Sequence, residues 1–189
     1  MTIGGEPLAP SGASASASVE DVLAPGFLDG LSERRLEDLH AMRMTCQEVE
    51  VALSYVRRII QGRVDIVAAV MDRQGEDLSK LVKDLPNILA PHSRSPGTGR
   101  LPEPLAPRPD SPDVIALTER LDEIVGAEAI GRLPSLSEGE LLNIIDRLGD
   151  LEIELSSARR KVHEQLDVLQ NEIITRYKSG RASVDNLLQ

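Results

Sequence analysis

Apolar residues recur at steps of three and four along two long stretches of the chain. The first runs through Leu36, Leu39, Val49, Leu53, Val56, Ile60, Val67 and Val70. The second runs through Leu141, Ile144, Leu148, Leu151, Leu155, Ala158, Val162 and Leu169. This is the period of a helix with one buried stripe, and both runs exceed an ordinary globular helix, so the pattern predicts helices that pair lengthwise as a coiled coil. The first is expected over about 31–74, with Ser32 as its N-cap. The second is expected to start at Ser137, whose partner Glu140 completes a capping box, and to stop near Gly180. Between them "DLSKLVKDL" reads as a short helix halted by Pro86, and "DVIALTERLDEIVG" (113–126) as another. The class is all-α, with the long helices pairing antiparallel.

The segments outside these patterns complete the organisation. Residues 1–27 are rich in Gly, Ala, Ser and Pro and read as a disordered tail. A first helical region spans 28–90 and a second spans 113–180, leaving 181–189 as a C-terminal tail. Between the helical regions, residues 91–112 hold seven prolines and read as an extended spacer; a Pro-binding module could also take the PEPLAPRP run.

The polar positions carry a second pattern. On the first helix Glu50, Ser54, Arg57, Gln61 and Asp65 follow one another at steps of four, three, four and four. They occupy a sector of about 80° and run roughly 22 Å along the axis. Shifting the sequence by 102 residues lays Leu53, Val56, Ile60 and Val67 on Leu155, Ala158, Val162 and Leu169. The same shift lays the polar file on Glu152, Ser156, Arg159, His163 and Asp167. Average residue usage puts such a second copy by chance on the order of one in a thousand. One charged stripe is ordinarily a solvated face; two copies at one heptad phase, each beside the buried seam, point to a ligand with repeated recognition elements.

The residue types suggest what that ligand offers. Arg bonds bidentately to guanine O6 and N7, and Asp accepts from guanine N–H groups. Ser and Gln supply short donors for phosphate or ribose oxygens. Glu is placed to steady the Arg seven residues further on. With antiparallel helices a twofold axis relates the files, which suits a ligand that is itself twofold symmetric.

The pattern E-x3-S-x2-R-x3-Q-x3-D, carried twice by a small acidic helical chain, resembles the cyclic-di-GMP signature of the actinobacterial RsiG anti-sigma factors. The first copy matches throughout; the second departs only at His163, which donates a hydrogen bond as Gln does. The resemblance implies an anti-sigma factor that binds cyclic-di-GMP, as an intercalated dimer, through all ten residues. With the ligand bound it would hold a sporulation sigma factor of the WhiG type inactive. The contrasting expectation is a structural coiled-coil adaptor whose duplicated helix serves no nucleotide.

Composition narrows the field. Net charge is −10, the wrong sign for direct DNA binding. No run is long and apolar enough for a membrane span, and no secretory leader is evident. Cys46 is the single cysteine, so no internal disulfide or thiolate zinc cluster forms, and a cytoplasmic setting is expected. His40 and His92 lack partners at metal-ligand spacing. No nucleophile–base motif or phosphate loop suggests an enzyme.

Five further positions attract notice. Arg58 and Arg160 adjoin the file arginines but point about 100° away. Gly62 lies within a helix, either tolerated there or allowing the close approach of a ligand or partner. Arg63 and Gln165 occupy matched seam positions, either opening the pairing beside the groove or fixing its register.

Overall fold

The computed structural model describes residues 18–73, 83–84, 86–89 and 111–179. Five α-helices and one 3₁₀ turn are defined there: α1 (Val19–Leu23), α2 (Leu36–Asp72), α3 (Pro112–Val125), α4 (Ala127–Ile130), the turn Leu133–Ser135, and α5 (Glu138–Lys178). Helices α2 and α5 form the backbone of the fold. They run antiparallel, because partners descend on one as they ascend on the other: Arg43 with Gln170, Glu50 with Arg159, Arg57 with Glu152.

The seam is the one the periodicity describes. Leu39, Val49, Leu53, Val56, Ile60, Val67 and Val70 are buried on α2, as are Leu141, Leu148, Leu151, Leu155, Val162 and Leu169 on α5. Leu36, Ile144 and Ala158 pack against this core while only partly covered. With so little aromatic volume, cohesion comes from aliphatic burial, each fully buried side chain contributing about 1.5–3 kcal/mol.

Local chemistry sets the helix ends. The Ser137 side chain accepts from the Glu140 amide and Glu140 Oε2 accepts from the Ser137 amide, so the expected capping box opens α5. Arg176 and Lys178 sit in its last turn, where cations complement the carbonyl end of the dipole. The helix ends at Lys178; the stop expected at Gly180 lies outside the described residues. Helix α3 starts with Pro112 at its first position, where a missing N–H costs nothing.

Helix α2 departs from expectation at its start. It begins at Leu36 rather than 31, and Ser32 does not cap it. Gly26 and Gly30 adopt left-handed φ angles of 91° and 67°, turning the chain just ahead of it. The Leu31 and Arg34 carbonyls accept from the Arg176 guanidinium of α5. Those carbonyls are anchored to the opposite helix, and the first helical turn forms only where Asp38 accepts from the Arg35 amide at 3.2 Å.

The N-terminal tail expected through residue 27 also ends earlier. Ser18 and Asp21 make a capping box for α1, and Val22 is fully buried in the common core. Residues 1–17 and the Pro-rich segment 91–110 lie outside the described residues, as does most of the short helix expected over 77–85. Residues 83–84 and 86–88 are helical, so helical backbone is present at and after Pro86, where a stop was expected. Gly62 has a definite neighbour: a Cβ there would stand 3.4 Å from Leu89 Cδ2. Its missing side chain admits the segment that folds back along α2, which Arg73 also holds through Asp84 at 2.9 Å.

The matched polar seam residues explain how the short helices are mounted. Arg63 donates to the Leu121 and Val125 carbonyls at the C-terminal end of α3 and pairs with Asp122 at 2.6 Å. Gln165 donates to the Val22 carbonyl of α1 at 2.7 Å. Neither opens the seam; each fastens a short helix to the long helix of the other repeat. Arg63→Ala is therefore expected to lower stability by about 1–3 kcal/mol, through helix-end carbonyls left without their donor. Thermal unfolding, with amide exchange across α3, checks this; unchanged α3 protection would contradict the anchoring role.

Candidate functional site

The seam residues of α2 and α5 point inward, while Arg63 and Gln165 point toward α3 and α1. From their helical positions, the two polar files lie on the opposite side of the seam, about 160° from Arg63 and Gln165. The short helices thus back one face of the pair, and the files line the other. On that face Glu50, Ser54, Arg57 and Asp65 are partly covered and Gln61 is exposed; Glu152, Ser156 and Arg159 are partly covered, and His163 and Asp167 are exposed. Contacts across that face join Glu50, Ser54, Arg57, Glu152, Ser156, Arg159 and His163; Gln61, Asp65 and Asp167 share the face by helical position alone.

The arginines and glutamates meet across the groove rather than along a helix. Arg57 Nε and Nη2 donate to Glu152 Oε1 at 3.0 and 2.7 Å. Arg159 Nε donates to Glu50 Oε1 at 2.8 Å. A shift of 102 converts either pair into the other, so the internal repeat is also a spatial twofold. The expectation that each Glu steadies the Arg seven residues further on is corrected here. Seven residues span about 10.5 Å of helix, out of reach, whereas antiparallel packing brings the other helix's arginine alongside.

The serines complete the arrangement. Ser54 Oγ donates to Glu50 Oε1 at 2.8 Å and Ser156 Oγ to Glu152 Oε1 at 2.9 Å. In this state their hydroxyls orient the glutamates rather than facing open groove. The halves differ at one point: His163 Nε2 lies 3.5 Å from Glu50 Oε1, so Glu50 faces two potential donors from α5. Gln61, Asp65 and Asp167 make no side-chain hydrogen bond to a described residue. By position along the helices, Gln61 and Asp65 lie beyond the Arg–Glu pairs toward one end of the files and Asp167 toward the other.

The electrostatics follow from these contacts. At Glu152 the bond from Arg57 pulls the carboxyl below the usual glutamate range, opposed by partial burial and helped by Ser156. At Glu50 burial pushes upward, but the bonds from Arg159 and Ser54, with the charges of Arg159 and His163, outweigh it and lower the carboxyl. A carboxyl lowered on folding adds stability above its unfolded pKa and loses it as pH falls through the folded one. The Tm difference between the native chain and the Glu50→Gln/Glu152→Gln double variant should therefore be largest near neutrality. It should shrink as pH falls from about 5 toward about 3. A difference that persists unchanged at the acid end would contradict the pairing.

Arg58 and Arg160 are exposed, clear of the groove. Burial pushes the Cys46 thiol up to about 11, which keeps it protonated and unreactive. Among the described residues no group of His, Cys, Asp or Glu has the geometry to hold a metal ion, and no helix is long and apolar enough to cross a membrane.

These features define a class: an all-α protein built from two repeats, whose antiparallel long helices share one twofold polar groove. A family model described as RsiG-like matches residues 25–89 and 127–189, together more than half of the chain. The matched segments begin 102 residues apart, the shift that superimposes the two files. The chain belongs to the RsiG-like family, a family of regulatory anti-sigma factors. No curated protein matches it.

Proposed function

We propose that this protein binds cyclic-di-GMP in the groove between α2 and α5 and, so loaded, sequesters a WhiG-type sporulation sigma factor. The observation that carries the ligand reading is the twofold placement of Arg57 and Arg159, each fixed by a carboxylate from the opposite helix. The Arg–Glu pairs are spaced by seven residues, about 10.5 Å along the groove. That arrangement suits two copies of one recognition element related by a twofold, as an intercalated cyclic-di-GMP dimer presents.

Each residue type has a chemical part in this reading. The arginines read guanine O6 and N7, and Asp65 and Asp167 accept from guanine N–H groups. Gln61 and His163 donate to phosphate or ribose oxygens. Glu50, Ser54, Glu152 and Ser156 form the floor that holds the arginines. Membership of an anti-sigma family supports a sigma-factor partner, and the groove's position on the face that α1 and α3 leave uncovered supports access from that side.

Isothermal titration of the full chain with cyclic-di-GMP, cyclic-di-AMP and GTP tests the ligand. Saturable binding of cyclic-di-GMP is expected, with weaker response to the others. Absence of binding with and without the sigma factor would leave the adaptor reading in its place.

A further inference from the structure

We infer that the two half-sites are built in trans: the glutamate of each repeat is the positioning residue for the arginine of the other. This rests on the reading of the groove as a guanine site and specifies how that site is assembled.

The bonding edge of each guanidinium carries the inference. Arg57 gives Glu152 its Nε and Nη2 hydrogens, both to the single oxygen Oε1. Arg159 gives Glu50 its Nε hydrogen. Arg57 thus has the Nε–Nη2 edge of its fork taken by the opposite helix and Arg159 its Nε, while Nη1 of each makes no hydrogen bond to a described residue. A guanidinium donates five hydrogens in a rigid plane. Gripping the guanidinium at Nε, and for Arg57 at Nη2 as well, therefore restrains the plane while leaving donors at its outer end for an acceptor in the groove. The same Glu oxygen accepts from its own serine, Ser54 or Ser156, so the carboxylate is itself held on two sides. The chain of constraint runs from serine to glutamate on one helix, then across the seam to the arginine of the other.

This construction has a consequence that two independent motifs would not have. Damage to the first motif's Glu50 falls on the second motif's Arg159, and damage to Glu152 falls on Arg57. Neither file can be assembled without the other helix in register, which makes antiparallel pairing a condition of recognition as well as of folding. Freeing a long side chain that binding must then immobilise weakens affinity by about three- to tenfold.

Arginine Nε–H resonances of the full-length protein, assigned with Arg57→Lys and Arg159→Lys, test the construction without ligand. Glu152→Gln should shift the Arg57 Nε–H signal and speed its exchange while sparing that of Arg159; Glu50→Gln should do the reverse. In cyclic-di-GMP titrations each Gln variant should lose about three- to tenfold in affinity. Glu152→Gln should add nothing on the Arg57→Lys background yet keep its full effect on Arg159→Lys. Unfolding temperatures measured in parallel separate this from a purely structural role, which would move stability without the crossed pattern. Coupling of each glutamate to its own helix's arginine, or Gln variants that bind as well as or better than the native chain, would overturn the inference. If the native chain fails to bind cyclic-di-GMP, the ligand reading falls, while the Nε–H responses still decide whether the pairing is in trans.

Discussion

Alanine at Arg57 or Arg159 is expected to abolish cyclic-di-GMP binding, while alanine at Arg58 or Arg160 leaves it within a few-fold. Each pair consists of adjacent residues of one type on one helix, differing by about 100° in direction. Arg57 and Arg159 are partly covered and face carboxylates across the groove, at 2.7 and 2.8 Å; Arg58 and Arg160 face solvent. Bound guanine and phosphate would cover these arginines, and truncating one partner of a buried, hydrogen-bonded charge pair costs about 2–5 kcal/mol, roughly thirty- to several-thousand-fold in Kd. Losing an exposed charge costs about 0–1 kcal/mol.

Alanine also leaves Glu50 or Glu152 without its arginine, adding negative charge beside an anionic ligand and deepening the loss at the groove positions. Circular dichroism should show native helicity for all four variants, since Ala is at least as good a helix former as Arg. Titration calorimetry, with and without the sigma factor, reads the result. Equal loss at groove and surface arginines would remove the files as the recognition surface.

The long helices and their seam are legible in the sequence because burial of one stripe imposes a period that few substitutions hide. The polar files are legible for a related reason: duplication wrote the pattern twice, and the shift of 102 needs no structure to find. The features that the sequence does not display are set by contacts between distant segments. Arg63 and Gln165 read only as polar interruptions of the seam, since nothing local says that α3 and α1 end beside them. The start of α2 moved to Leu36 because Arg176, more than a hundred residues away, takes the Leu31 and Arg34 carbonyls. The crossing of Glu50 to Arg159 follows from the sequence once the helices pair antiparallel. Antiparallel pairing about the midpoint of the repeat places those two opposite, while their own-helix partners lie about 10.5 Å away.

Recovery of a WhiG-type sigma factor on the immobilised protein is expected to fall sharply when cyclic-di-GMP is withheld. The groove's own charge is the reason to expect this dependence. Glu50, Asp65, Glu152 and Asp167 stand against Arg57 and Arg159, four acids to two bases, on a chain of net charge −10. Each cyclic-di-GMP brings two phosphodiester charges, so an unpartnered groove would hold it against net repulsion. A basic surface laid over the ligand would relieve that repulsion, and the ligand would give that surface phosphates to bind. Each binding event would therefore favour the other, with coupling of the usual allosteric size, about 1–3 kcal/mol or 5–150-fold. Linkage makes the effect reciprocal: the sigma factor must tighten cyclic-di-GMP by the factor by which cyclic-di-GMP tightens the sigma factor. Two titrations check this, one of ligand into protein with and without sigma factor, the other of sigma factor into protein with and without ligand. Matching factors above about fivefold support a ligand-licensed anti-sigma factor. Equal recovery under both conditions would show that the sigma factor is held by a surface indifferent to the groove.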